Sequence, residues 1–137
     1  EALEVAKENA QRNHIHVDWL HADILSPISD TPFPIPDIIV SNPPYIKEVE
    51  KEQMEANVLD WEPHTALFVA DSDPLLFYRE IANFGKQNLN KDGMVFFEIN
   101  PLFAEQTIIM LENAGYQNIE LRKDIFGKNR MIKAVNL

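Results

Sequence analysis

The chain has 137 residues, 45% of them hydrophobic, and a formal charge of −10. That is enough for one domain with a buried core. Its acidity disfavours generic binding to nucleic-acid phosphates, leaving room only for a local basic groove, and no apolar run approaches the roughly 20 residues of a membrane span. Disulfides and thiolate metal sites are excluded because there is no cysteine, which fits a reducing compartment.

The opening "EALEVAKENAQR" predicts a helix over residues 1–12, with Leu3, Ala6 and Ala10 on one face and acidic residues in the first turn. Such a charged, amphipathic start is not a signal peptide. "HVDWLHADIL" is a short strand candidate. "SPISDTPFPIP", residues 26–36, carries four prolines and predicts a loop. "DIIVSN" follows as a short strand, and its continuous apolar run suits a parallel sheet covered on both faces. Residues 45–73 are expected to be long and irregular, with "KEVEKEQMEAN" a solvated, mobile face.

Asp73-Pro74 predicts an N-cap with proline at the first helical position, and Phe77, Ile81 and Phe84 mark that helix's buried stripe. "NKDG" is a turn and "MVFFEI" a strand. Asn100-Pro101 repeats the cap-plus-proline start. Phe103, Thr107, Met110, Leu111 and Ala114 line the next helix, which Gly115 ends. "NIELRK" and "MIKAVN" are the last two strands, joined by "DIFGKNR". No repeat or linker divides the chain. Alternation of this kind predicts an α/β sheet with helices on its faces, and the final pair predicts one antiparallel strand near the C-terminus.

The most informative stretch is Asn42-Pro43-Pro44-Tyr45, directly after an apolar strand. Ligands of open α/β sheets bind at the carboxyl ends of strands. The two prolines stop the strand and stiffen the turn. Asn42 offers a side-chain carbonyl, and Pro43 a main-chain carbonyl. Two acceptors on one stiff turn suit both hydrogens of a planar –NH₂ group, with the Tyr45 ring as a packing wall. Amide and nucleobase nitrogens are poor nucleophiles that no ordinary base deprotonates first. Fixed acceptors orient such a nitrogen and stabilise positive charge as it builds. The matching electrophile is a methyl group on a sulfonium. The bland alternative is that Asn-Pro is a common turn dipeptide.

This tetrapeptide resembles the signature of amino-group methyltransferases that use S-adenosylmethionine. The flanking residues narrow the resemblance. Glu62-Pro63 with Ala66-Leu67, then "FVADSDPLLFYREI", Phe96-Phe97-Glu98-Ile99, and Asp124 through Gly127 to Arg130 are similar to the protein-(glutamine-N5) methyltransferases that act on peptide chain release factors. The opening helix followed by "HADIL" is similar to their cofactor-binding half. The resemblance implies a partial Rossmann-like methyltransferase fold, mostly parallel with an antiparallel strand near the C-terminus. It also implies S-adenosylmethionine as cofactor, class I release factors as partners and a cytoplasmic location.

One departure stands out. The family's glycine-rich cofactor loop, the acidic residue of its second strand and its N-terminal helical domain have no counterpart here. Residues 1–137 therefore read as the C-terminal portion of a single catalytic domain, lacking the first strands. The expected consequences are a gap in the sheet or an exposed edge, a homodimer that covers that edge, and, for the isolated chain, inactivity.

The resemblance further implies that Asn42 and the Pro43 carbonyl hold the substrate amide of a Gly-Gly-Gln tripeptide, with Tyr45 packing along it and Pro44 beside it. Asp23 would accept from the cofactor's adenine amino group, next to Ile24, unless it merely caps its own backbone, and Asn42 would also contact the cofactor. Trp61, Glu62 and Pro63 would shape the release-factor channel. Glu98 would orient the substrate backbone or pair with Arg130. The alternative substrate is an adenine or guanine amino group, reached by base flipping. His14, His16, His21 and Asp23 lack metal-site spacing and read as solvated or packed side chains.

Overall fold

The structure is a computed structural model that describes residues 2–26, 34–53 and 63–137. It divides into two units, Glu1–Thr31 and Pro32–Leu137. In the first unit, α1 spans Ala2–Arg12, with Glu4 in the first turn and Ala10 buried. The expected face is present, since Leu3 and Ala6 are half-buried beside it. The helix ends in a paired reversal in which the Ile15 N–H donates to Ala10 O and the His14 N–H to Gln11 O. His14 takes the left-handed conformation, φ 55°, that glycine usually supplies there.

The strand expected over residues 16–25 is absent. That run makes no ladder, and an extended segment without pairing partners is not a strand. It closes instead in a turn, where the Ser26 N–H donates to Asp23 O at 3.0 Å.

The second unit holds a four-stranded sheet and a two-stranded ribbon. Strand β1 is Ile38–Ser41, β4 Gly93–Glu98, β5 Tyr116–Lys123 and β6 Asn129–Asn136. Their order in the sheet is β1-β4-β6-β5. β1 runs parallel to β4, with Ser41 opposite Phe97. β6 enters between β4 and β5 and is antiparallel to both, so it is the one reversed strand among otherwise co-directional neighbours.

The ribbon pairs β2 (Ile46–Lys47) in parallel with β3 (Phe68–Val69). Of residues 45–73, 54–62 lie outside the described residues, and the rest carry more regular structure than expected. A 3₁₀ turn spans Glu48–Gln53, and α2 spans His64–Leu67. Two-residue strands carry no periodicity for a sequence to display. The charge run is not simply solvated either, because the Glu50 carboxylate accepts the Lys47 N–H at 2.9 Å. Of the proline-rich loop, residues 27–33 lie outside the described residues.

Helix α3, Leu76–Asn88, begins later than Asp73-Pro74 suggested. The Asp73 carboxylate still has the Leu75 backbone N–H as a partner just ahead of it. It pairs with the Arg79 guanidinium, a turn and a half further on, with one Nη1–Oδ1 distance of 3.3 Å. Asn100-Pro101 does act as read: the Asn100 side chain accepts from the Leu102 N–H at the start of a 3₁₀ turn, Pro101–Phe103, which leads into α4, Ala104–Asn113.

Both helices lie on one face of the sheet. There β4 presents Val95 and Phe97, β6 presents Ile132 and Ala134, and all four are buried. The Tyr78 ring of α3 meets Phe97 edge-on at 5.3 Å, and Thr107 and Leu111 of α4 complete this core. Gly85 lets α3 approach closely, since a Cβ there would lie 2.4 Å from the Tyr116 hydroxyl. The opposite face is open at Ile38, Val40 and Met131. Among the described residues of this unit, β1 is not covered on both faces. Among the described residues β1 pairs only with β4, which makes it an edge strand as expected. No helix among the described residues is long and apolar enough to cross a membrane.

Candidate functional site

β1 and β4 end together, and the chain leaves β1 at Asn42. Asn42 is exposed, Pro43 is buried, and Pro44 and Tyr45 are half-buried. The buried proline anchors the turn and leaves the asparagine facing outward. On the open side of the sheet, a groove of about 630 Å³ runs past Val40, Asn42, Phe96, Glu98, Met131 and Lys133. On the other side of the turn, a hollow of about 60 Å³ lies between Asn42, Pro43, Tyr45 and Ile46 and the α2 residues Ala66 and Leu67. The β2–β3 pairing brings α2 there, by setting Ile46 opposite Phe68.

Tyr45 is fixed at both ends. Its hydroxyl donates to Glu98 Oε1 at 2.7 Å, and Arg130 Nη1 donates to the same hydroxyl at 3.5 Å. Arg130 also lies 3.9 Å from Glu98 Oε1, and its Nε lies 3.5 Å from Asp124 Oδ2. The Tyr45 carbonyl accepts from Asn100 Nδ2 at 3.3 Å. That amide also donates to the Glu50 carboxylate at 3.2 Å. The strand end beneath is held by the Tyr78 hydroxyl, which donates to Glu98 O at 3.0 Å. Glu98 thus contacts the turn and Arg130 together.

Burial, and then the hydrogen bond and charge of Glu98, push the Tyr45 phenol up to about 12. Burial pushes Tyr116 up to about 12 and raises Tyr78 as well. A folded-state value above the unfolded one means the fold favours the neutral phenol. The associated stability is complete below pH 10 and is lost as pH rises through about 12. These three are all the tyrosines of the chain. An alkaline titration of the folded protein is therefore expected to show no phenolate absorbance step near pH 10. Phenolate should appear at higher pH in one cooperative step, together with loss of far-ultraviolet circular dichroism. A tyrosine that ionises at pH 10 with the fold intact contradicts this.

Of the residues singled out in the sequence, the structure brings together Asn42, Pro43, Pro44, Tyr45 and Glu98. Pro63 is exposed and extended just before α2. Trp61 and Glu62 lie outside the described residues. Asp23 and Ile24 belong to the first unit. There the Asp23 carboxylate accepts the Leu25 N–H at 3.0 Å and the Ser26 hydroxyl at 3.4 Å, which is the local capping considered above. Sequence reasoning missed Tyr78, and it saw Asn100 as a helix cap only. The sole signal for the second role was an amide with capacity left after capping.

Three comparisons bear on this arrangement. The "Methyltransferase small domain" family model matches residues 1–61. A release factor glutamine methyltransferase of Bacteroides thetaiotaomicron is 47% identical over 98% of this chain and 48% of its own length. One from Flavobacterium psychrophilum is 44% identical over 96% of this chain and 46% of its own. The chain spans about half the length of the curated relatives it matches. The crystal structure of a release factor-specific protein-(glutamine-N5) methyltransferase from Alicyclobacillus acidocaldarius aligns with 50% of this chain and 47% of that one, at a TM-score of 0.40 and 23% identity.

Proposed function

We infer that the chain belongs to the release factor glutamine methyltransferases, as the C-terminal portion of a catalytic domain, and that the protein carrying it methylates the side-chain amide of a glutamine in class I release factors. The turn supports this reading most directly. It presents an exposed asparagine next to a proline at the carboxyl edge of a sheet, beside a groove of about 630 Å³.

The cofactor of this reading is S-adenosylmethionine, which supplies an electrophilic methyl group when bound. The residues present fit part of its cradle. The Asp23 carboxylate retains acceptor capacity beyond its two local bonds, and Ile24 beside it is half-buried. The sequence's glycines, at 85, 93, 115 and 127, form no Gly-x-Gly loop.

This chain's own part is to bind and align. Asn42 Oδ1 and the Pro43 carbonyl accept the two amide hydrogens of the glutamine, in the Gly-Gly-Gln tripeptide of the release factor. The nitrogen lone pair is thereby aimed away from the turn. Both acceptors stabilise the positive charge that grows on nitrogen during attack. The Tyr45 ring walls the side chain, held by Glu98, Arg130 and Asn100.

The deciding experiment gives the intact protein labelled S-adenosylmethionine with a release factor and bulk nucleic acid together, and locates the methyl group by mass spectrometry. Label on a glutamine amide is the expected result. Label on adenine or guanine overturns it in favour of base methylation.

A further inference from the structure

The turn between β5 and β6 is built to hold two large apolar residues in water. Ile125 is 93% exposed and Phe126 82%. Between them and the strands, the backbone is fixed at nearly every residue. Asp124 Oδ1 accepts the Phe126 N–H at 2.9 Å and the Lys128 N–H at 3.0 Å. The Asp124 N–H donates to Lys128 O at 2.8 Å, and the Gly127 N–H to Asp124 O at 3.0 Å. Gly127 takes φ 81°, which a side chain would resist. A tip this constrained loses little conformational freedom when a partner closes on it, which is how a preorganised anchor gains affinity.

The tip also has a defined place. Met131 of β6 lies opposite Glu98 of β4, and Ser41 of β1 lies opposite Phe97. The hairpin therefore projects past the same sheet edge as the Asn42 turn. Asp124, which pins the tip, reaches that turn through Arg130, since Arg130 contacts Asp124, Glu98 and the Tyr45 hydroxyl.

We propose that the β5–β6 tip is a docking finger for the protein substrate, and that Ile125 and Phe126 enter an apolar hollow with an acidic rim beside the methylated glutamine. This rests on the glutamine-methylation reading above. The charges favour a protein over a nucleic acid. Among the described residues Arg130 faces Asp124 and Glu98, while Arg122 and Lys133 face Glu120. That leaves Lys123 and Lys128 beside the tip. Two lysines around an apolar point suit a few carboxylates, whereas a phosphate backbone is met by many cations at once.

The test uses the intact protein, a purified release factor, and a short peptide containing Gly-Gly-Gln. The double substitution Ile125→Ser with Phe126→Ser leaves Asp124 and Gly127 in place. It is expected to raise KM for the release factor by about tenfold or more, the scale of losing a buried anchor. kcat at saturation and KM for the peptide stay unchanged. Lys128→Glu raises KM for the release factor in the same direction. Unchanged KM for the release factor overturns the finger while methylation of glutamine still stands. An equal rise for peptide and release factor overturns it too, as does a fall in melting temperature without a change in KM, which places the tip inside its own protein. If the unsubstituted protein methylates nucleic acid and no glutamine, the substrate reading falls first and the finger with it.

Discussion

On the proposed function, Asn42→Ala is expected to lower methyl transfer at saturating substrate by about 10²- to 10³-fold, the effect of removing one preorganised group from a developing charge. Asn42 is exposed at the end of β1, so its truncation removes no core packing, and stability should move by no more than about 0.5 kcal/mol. On that reading the loss falls on chemistry, because the Pro43 carbonyl alone would leave one amide hydrogen unheld and the nitrogen free to rotate. Asn42→Asp keeps an acceptor at the same place and is expected to lose less. Single-turnover transfer of labelled methyl, with a melting curve on each variant, reads both effects. A loss below about threefold with the fold intact would mean that the turn does not orient the nitrogen.

Phe97→Ala is expected to cost about 3–5 kcal/mol of folding stability. The side chain is 2% exposed, between Ser41 on β1 and Ile132 on β6, and packs edge-on against Tyr78. Domains of this size hold about 5–15 kcal/mol in total, so the variant should sit near the edge of unfolding. In urea the midpoint should fall with the slope unchanged. Phe97→Leu is expected to lose much less. The site is affected as well. Tyr78 holds the Glu98 carbonyl, and the Glu98 carboxylate holds Tyr45. A cavity beneath Tyr78 loosens both, so surviving folded protein should bind substrate less well. A midpoint indistinguishable from that of the unsubstituted protein would refute the packing described.

What the sequence displayed, and what it hid, follow from the range of each interaction. β1, β4, α4 and the last two strands were legible because apolar spacing, the Asn100 cap and the glycine after α4 are local signals. The same locality misled elsewhere. Residues 16–25 have the composition of a strand, yet composition does not supply a pairing partner. Asp73-Pro74 has the composition of a cap, but the helix begins only at Leu76 and the carboxylate also pairs with Arg79. The turn itself was visible because two adjacent prolines after an apolar run are rare and have a stereochemical meaning. Its support was not visible. Glu98, Asn100 and Arg130 stand 53, 55 and 85 residues from Tyr45, and no window on the sequence sees that far.

The position of β6 carries a consequence for how the protein is made. The strand between β4 and β5 is the last in chain order. During synthesis β4 precedes β6 and can pair with β1, but its second edge waits for residues that the ribosome has not yet joined. An apolar strand with an open edge invites pairing with other nascent chains. Closure of the sheet is therefore a late event that joins distant parts of the chain, which slows folding. A chain stopped before Asn129 would hold a half-built sheet with that edge open.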